Sequence, residues 1–166
     1  MNLIEPTIDD LFSLVELGIT FRKGHSQYLE CDELIEDEKL KEIYSWAFLF
    51  AIQLKNQIFL KILKDPINGE IAGYIYGEIV NAETFYKNRQ RGFIKEIYLQ
   101  RQYRSFANFK ALMDSFFDWL KNKKISIVEG EIDAKNQDLA MIYRHSKAKE
   151  KTTYFFLNLG DEKNGK

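Results

Sequence analysis

The apolar residues between positions 93 and 120 change their spacing once, and this change constrains the fold more than any other feature of the sequence. In "FIKEIYLQ" (93–100) they form a short, mostly apolar run, which is typical of a β-strand. After a short loop, apolar residues recur at intervals of three and four, which predicts an amphipathic helix. The residues of this stripe are Phe109, Leu112, Met113, Phe116, Phe117 and Leu120.

More strand patterns lie on both sides of this unit. "QIFLKIL" (57–63) and "EIAGYIYGEIV" (70–80) are joined by "DPING" (65–69), which predicts a hairpin. The strand at 93–100 continues this antiparallel sheet. "ISIVEGEIDA" (125–134) follows the helix, and the order strand, helix, strand predicts a crossover between parallel neighbours.

The rest of the chain supplies two helices before the hairpin and a helix and a strand at the end. "NLIEP" is a short strand, and Thr7 caps a helix that ends at Gly24 at the latest. Its predicted core face is Ile8, Leu11, Phe12, Val15 and Ile19. A second helix, roughly 38–54, has the predicted core face Leu40, Ile43, Tyr44, Ala47, Ala51 and Leu54. A short helix (136–145) and a last strand (152–159) complete the chain.

The predicted element order is therefore β-α-α-β-β-β-α-β-α-β. It gives an α/β (α+β) fold with a mixed, mostly antiparallel central sheet flanked by about four helices. A chain of 166 residues suffices for one core. We expect one domain over residues 1–160 and a frayed tail over 161–166.

Composition and charge exclude several classes of protein and site. The net charge of -1 argues against a nucleic-acid partner, and the longest apolar run is far shorter than the ~20 residues of a membrane helix. The acidic start "MNLIEPTIDD" does not resemble a secretory signal, so a cytoplasmic location is expected. Cys31 has no second cysteine to pair with. His25 and His145 lack metal-ligand spacing, and no metal is expected.

The loop at 100–108 is the strongest candidate for a binding site. It lies between the carboxyl end of a strand and the amino end of a helix, where free backbone N–H groups and the helix dipole favour an anion. Arg101 and Arg104 add positive charge to it. This arrangement suits a phosphate, although the loop contains no glycine.

The chain resembles the GNAT superfamily of N-acetyltransferases, which move an acyl group from coenzyme A to an amine. The element order is similar to that of the family, and "FIKEIYLQRQYRSFANFKALM" resembles its strand, pyrophosphate loop and helix. In "NQDLAMIY", Asn136 and Tyr143 have the seven-residue separation of the family's Asn and Tyr. The resemblance implies a GNAT-like fold and acetyl-CoA as co-substrate.

The resemblance also implies residues that bind acetyl-CoA. The pyrophosphate loop corresponds to Arg104, Ser105, Phe106, Ala107, Asn108 and Phe109. The loop is degenerate, because Ala107 and Phe109 stand where the family has small residues. Phe109 also begins the apolar stripe, so its ring could point into the core. The splayed strands with Ile97 and Leu99 would hold the pantetheine, and Asn136 would contact the coenzyme or simply cap its helix.

Two residues are candidates for proton transfer in the resembling enzymes. Glu96 would point to the face opposite Ile97 and take the proton of the amine, and burial would raise its pKa. The alternatives are that Glu96 is a surface charge or that Glu131 or Asp133 is the base. Tyr143 would protonate the departing thiolate, or it is an ordinary buried aromatic residue.

Two main function hypotheses follow. The first is an N-acetyltransferase that transfers an acetyl group directly from acetyl-CoA to an unidentified primary amine of a small molecule or peptide. The alternative is a non-catalytic GNAT-fold binding or regulatory module that has lost normal coenzyme A binding. An RNA-directed acyltransferase using the basic segment 87–104 is a third hypothesis, which the net charge disfavours. The apolar last strand "YFFLNL" could pair with another subunit to form a homodimer.

Overall fold

The computed structural model of the chain describes residues 1–26, 34–82, 90–132, 136 and 139–141. Its strands are β1 Asn2–Ile4, β2 Ile58–Lys64, β3 Ile71–Asn81, β4 Gln90–Leu99 and β5 Val128–Gly130. Its α-helices are α1 Leu11–Ser26, α2 Asp37–Gln53 and α3 Phe106–Asn122. Short 3-10 turns at Ile8–Asp10 and Arg101–Tyr103 precede α1 and α3.

The five strands form one sheet in the order β1-β2-β3-β4-β5. The first four strands pair antiparallel with their neighbours, and β4 and β5 pair in parallel across α3. The predicted mixed, mostly antiparallel sheet is thus confirmed, as is the element order through β5. Of the predicted helix at 136–145, the structure describes Asn136 and helical residues 139–141, and the predicted strand at 152–159 lies outside the described residues.

The helices α1 and α2 cover one face of the sheet. Leu14 of α1 and Phe48 of α2 are fully buried against sheet residues that include Ile62 and Tyr74. Phe48 meets the ring of Tyr74 edge-on with ring centroids 5.4 Å apart, a favourable geometry for two aromatic rings. This face therefore has an aromatic core in which tyrosines are buried together with aliphatic side chains.

The helix α3 covers the opposite face, and the apolar stripe read from the sequence packs on it. Leu112, Phe116 and Leu120 are buried against sheet residues that include Ile75 and Ile94. Phe109 and Phe117, the outer members of the stripe, are partly buried against the same core. The ring of Phe109 therefore points into the protein, as the periodicity of the stripe indicated.

The predicted core faces of α1 and α2 were confirmed at Val15, Ile19, Leu40, Tyr44 and Ala51, which are buried, and were wrong at other positions. Phe12 is 72% exposed and Leu14 is fully buried, because the chain enters α1 through a 3-10 turn of three residues per turn, which rotates the face that follows. Ile8, Ile43 and Leu54 are exposed as well, and the buried Phe48 was missed. The buried side of each helix is set by its rotation against the sheet.

Two predicted boundaries were also wrong. The helix α1 passes through Gly24 to Ser26, because Gly24 does not adopt the positive φ by which a glycine usually ends a helix. The strand predicted for 125–134 is limited to Val128–Gly130 in the part of the chain that the structure describes. The N–H of Ile125 donates to the carbonyl of Leu120, so residue 125 lies in the turn that follows α3.

Candidate active site

In the part of the chain that the structure describes, β4 and β5 pair over three positions. Gly92, Phe93 and Ile94 of β4 pair with the three residues of β5. From Glu96 to Leu99, β4 pairs with β3 on one edge, and no described residue pairs with its other edge. Among the described residues, pairing between β4 and β5 thus ends at Ile94.

A β-bulge at Lys95 divides β4 where this pairing ends. Ile94 pairs with Gly77 and Glu96 pairs with Tyr76, so Lys95 is an extra residue without a partner on β3. In a regular strand, residues 94 and 96 would share a face. Because of the bulge, Ile94 packs towards α3 and Glu96 points towards α1 and α2. Ile97 packs with the α3 face, so the predicted opposition of Glu96 and Ile97 is confirmed.

The Glu96 carboxylate is buried and hydrogen-bonded by three side chains. Arg22 Nη2 donates to Oε1 at 2.7 Å, and the Tyr44 hydroxyl donates to the same oxygen at 2.8 Å. The Tyr74 hydroxyl donates to Oε2 at 2.8 Å. Glu96 is 6% exposed, which excludes the alternative that it is a surface charge. Sequence reasoning did not assign Arg22, Tyr44 or Tyr74 to this site.

Burial sets the protonation behaviour of this cluster. It raises the pKa of Glu96 above the ordinary glutamate value, while hydrogen bonds from Tyr74 and Tyr44 and the charge of Arg22 oppose the rise. Burial and the Glu96 carboxylate also raise the pKa of Tyr44 and Tyr74. Both hydroxyls therefore remain protonated donors at neutral pH, and Glu96 is a stronger base than an exposed glutamate.

Gly18 of α1 allows Tyr44 to reach Glu96. A Cβ atom at position 18 would lie 2.5 Å from Cδ1 of the Tyr44 ring, well inside normal contact distance. A glycine in a helix interior costs about 1 kcal/mol relative to alanine, so its presence needs a local reason. Here the reason is the close approach of the Tyr44 ring. A mid-helix glycine was the available sequence signal for this contact.

The turn before α3 contains the predicted pyrophosphate loop. Ser105 is the N-cap of α3, and its side chain accepts from the Asn108 N–H at 3.2 Å. Asn108 Nδ2 donates to the Tyr103 carbonyl at 2.8 Å, and Arg104 Nε donates to the Leu99 carbonyl at 3.1 Å. These bonds join the loop to the end of β4 and order the first turn of α3.

The surface of this loop is open. Arg104, Ser105, Phe106 and Ala107 are exposed, and Phe106 is 71% exposed. The N–H groups of Phe106 and Ala107 lie in the first turn of α3, where no preceding helical carbonyl can accept from them. Because the Phe109 ring packs into the core, it does not cover these N–H groups.

The other predicted site residues are only partly described. Asn136 Oδ1 accepts from the Leu139 N–H at 3.2 Å, so this residue caps its short helix. Tyr143 and Asp133 lie outside the described residues. Among the other acids of that segment, Glu129 forms an ion pair with Arg91, and Glu131 is exposed just after β5.

The described part of the chain contains no group of three His, Cys, Asp or Glu side chains that could hold a metal ion. Likewise, none of its helices is both long and apolar enough to cross a membrane.

Comparison with known proteins gives matches in structure only. No family model matches the sequence, and no curated protein matches it. A probable acetyltransferase superimposes with a TM-score of 0.72 at 12% identity, over 98% of this chain and 100% of that chain. A predicted acetyltransferase with acetyl-CoA from Clostridium acetobutylicum superimposes with a TM-score of 0.69 at 14% identity, over 95% and 96%. Glucosamine-6-phosphate N-acetyltransferase from Arabidopsis thaliana superimposes with a TM-score of 0.64 at 14% identity, over 95% of this chain and 97% of that chain.

Proposed function

We propose that this chain, which has a GNAT-like fold, is an N-acetyltransferase that transfers an acetyl group directly from acetyl-CoA to a primary amine. One arrangement carries the proposal. The buried Glu96 and the open amino end of α3 flank the same half of β4, where its β5 edge is free of described partners. A candidate base and a candidate anion site thus adjoin the same half of β4.

The amino end of α3 suits the pyrophosphate of acetyl-CoA. The N–H groups of Phe106 and Ala107 and the helix dipole favour an anion at this position. Arg104 supplies a full positive charge beside them, and the hydroxyl of Ser105 holds the first turn in place. The lack of glycine in the loop is tolerated because Phe109 turns its ring into the core. The pantetheine would then run along β4 past Leu99 and Ile97.

The reaction needs one base and one acid. The amine nitrogen attacks the thioester carbonyl carbon, the carbon–sulfur bond breaks, and the thiolate of coenzyme A leaves. Glu96 accepts the proton that the amine nitrogen loses, for which its raised pKa is suited. Tyr143 is proposed to give its hydroxyl proton to the thiolate. The enzyme forms no covalent bond with the acetyl group in this sequence.

The acceptor is proposed to be a small molecule with a primary amine. The Arabidopsis neighbour is named for acetylation of glucosamine 6-phosphate, which supports this class. The test is to measure thiol release from acetyl-CoA with a panel of amino sugars, diamines and amino acids. Thiol release that depends on one of these amines is the expected result. If acetyl-CoA neither binds nor releases thiol with any of these amines, the result favours the alternative, a non-catalytic module that has lost normal coenzyme A binding.

Replacing Arg104 with alanine should weaken acetyl-CoA binding about tenfold, or ~1.4 kcal/mol. The side chain supplies charge at the proposed pyrophosphate site, and its Nε bond to the Leu99 carbonyl orders the loop. Isothermal titration calorimetry measures the change. Lys121→Ala is the matched control, because it removes one positive charge from the other end of α3. Equal Kd values for Arg104→Ala and the wild type would remove Arg104 from the site.

A further inference from the structure

The three side chains that donate hydrogen bonds to the Glu96 carboxylate differ in their exposure to solvent. Tyr44 is 5% exposed and Tyr74 is fully buried, whereas the side chain of Arg22 is 38% exposed. Among the described residues, the guanidinium of Arg22 is thus the donor that separates the carboxylate from solvent. A solute that reaches Glu96 from this side must first move Arg22.

We propose that the Arg22 guanidinium occupies the position of the acceptor's cationic amine, and that the acceptor enters by displacing it from Glu96. Arg22 is then a specificity-determining residue, and the site takes acceptors that arrive as primary ammonium ions. This inference rests on the proposed function, because it assigns the amine-binding position of the same site.

When an ammonium ion replaces Arg22, the buried negative charge of Glu96 keeps a positive partner. Removing one partner of a buried ion pair is strongly destabilising, because the remaining charge is left without compensation. An ammonium ion that replaces Arg22 restores the lost contact to Glu96 Oε1, whereas a neutral solute does not. The site therefore discriminates in favour of cations. Once bound, the ammonium can give one proton to Glu96, which leaves a neutral acid and a nucleophilic neutral amine; the second proton, which the nitrogen loses after its attack on the thioester, would replace the proton that Tyr143 gives to the thiolate.

Arg22 has a second contact while it is paired with Glu96, and this contact can persist when the pair is broken. Its guanidinium carbon lies 5.6 Å from the centroid of the Phe21 ring, within the range of a cation–π contact. Its exposed part can also remain solvated. The Phe21 ring packs edge-on against Tyr98 with centroids 6.1 Å apart, so two aromatic rings lie next to the Arg22 guanidinium. These two rings favour an acceptor with an apolar portion next to its amine.

The first test needs no acetyl-CoA and measures chemical rescue of Arg22→Ala. We expect 10 mM methylguanidinium or methylammonium chloride to raise its Tm by about 2–4 °C relative to sodium chloride of equal ionic strength. The wild type and the double variant Arg22→Ala/Glu96→Gln should not respond. An equal response of all three proteins, or no response of Arg22→Ala, overturns the inference. If Arg22→Ala does not fold, Arg22→Gln is measured in the same way.

The second test distinguishes two roles of Arg22, a group that the acceptor displaces and a group that only supports the structure around Glu96. If Arg22 competes with the acceptor, Arg22→Ala should lower KM for a cationic amine about tenfold, because the competing group is gone. An unchanged or higher KM overturns the inference. Arg22→Lys, which keeps a cation near Glu96, should stay closer to the wild-type KM. If no amine is acetylated by the wild type, the proposed function fails while the rescue experiment still decides whether Glu96 forms a cation site.

Discussion

Glu96→Gln should lower kcat for acetyl transfer by at least about 100-fold, since general base catalysis contributes typically 10²–10⁴-fold. Glutamine has nearly the same shape, and its oxygen can still accept from Tyr44 while its NH2 group donates to the Tyr74 oxygen, but it cannot take a proton from the amine. The proposed acetyl-CoA site is at the other end of this half of β4, so Kd for acetyl-CoA should not change. Steady-state kinetics and calorimetry on the same preparation measure both quantities.

A second glutamate next to the bulge provides the control. Glu78 of β3 forms an ion pair with Lys95, whose Nζ lies 2.8 Å from Glu78 Oε1. This residue does not contact the cluster around Glu96, so Glu78→Gln should leave kcat within about threefold of the wild type. The raised pKa of Glu96 also predicts that kcat falls as the pH drops through that pKa, above the ordinary glutamate value. An unchanged kcat in Glu96→Gln would contradict the role of Glu96 as base.

Phe116→Ala should lower the free energy of unfolding by about 3–5 kcal/mol, a large part of the 5–15 kcal/mol that is usual for a domain. Phe116 is fully buried, and its ring lies 5.3 Å from that of Phe59 and 5.7 Å from that of Trp119, between centroids. Its ring also lies against Gly77, where an added Cβ would come within 2.7 Å of it. Alanine would leave a cavity directly beneath the bulge in β4.

Phe106→Ala is the matched control for this prediction. Phe106 lies on the same helix and is 71% exposed, so its removal should change stability by no more than about 0.5 kcal/mol. Equilibrium unfolding in urea, monitored by circular dichroism, gives both values. Equal losses in the two variants would contradict the placement of α3 on the sheet.

Much of the fold could be predicted from local patterns. The hairpin between β2 and β3 has a turn sequence between two segments of strand pattern. The apolar stripe from Phe109 to Leu120 has a spacing that fits a helix and does not fit a strand. Parallel pairing of β4 and β5 follows from the helix between them. These elements were confirmed because each depends on residues close together in the chain.

The candidate site could be predicted only in part. Glu96 was identified from its strand, but its donor Arg22 is 74 residues away and has no local sequence signal. The bulge at Lys95 was not predicted from the sequence either, although it decides which face Glu96 occupies. Phe12 and Phe48 show the same limit, because the rotation of α1 and α2 against the sheet depends on tertiary packing.

The central claim is that a loop without glycine still binds acetyl-CoA at the amino end of α3. A thermal-shift titration of the wild-type protein with acetyl-CoA tests it most directly. Stabilisation should grow with ligand concentration and reach roughly 2.7 kcal/mol at one hundred times Kd. No stabilisation at millimolar acetyl-CoA would contradict the claim, and with it the proposed enzymatic function.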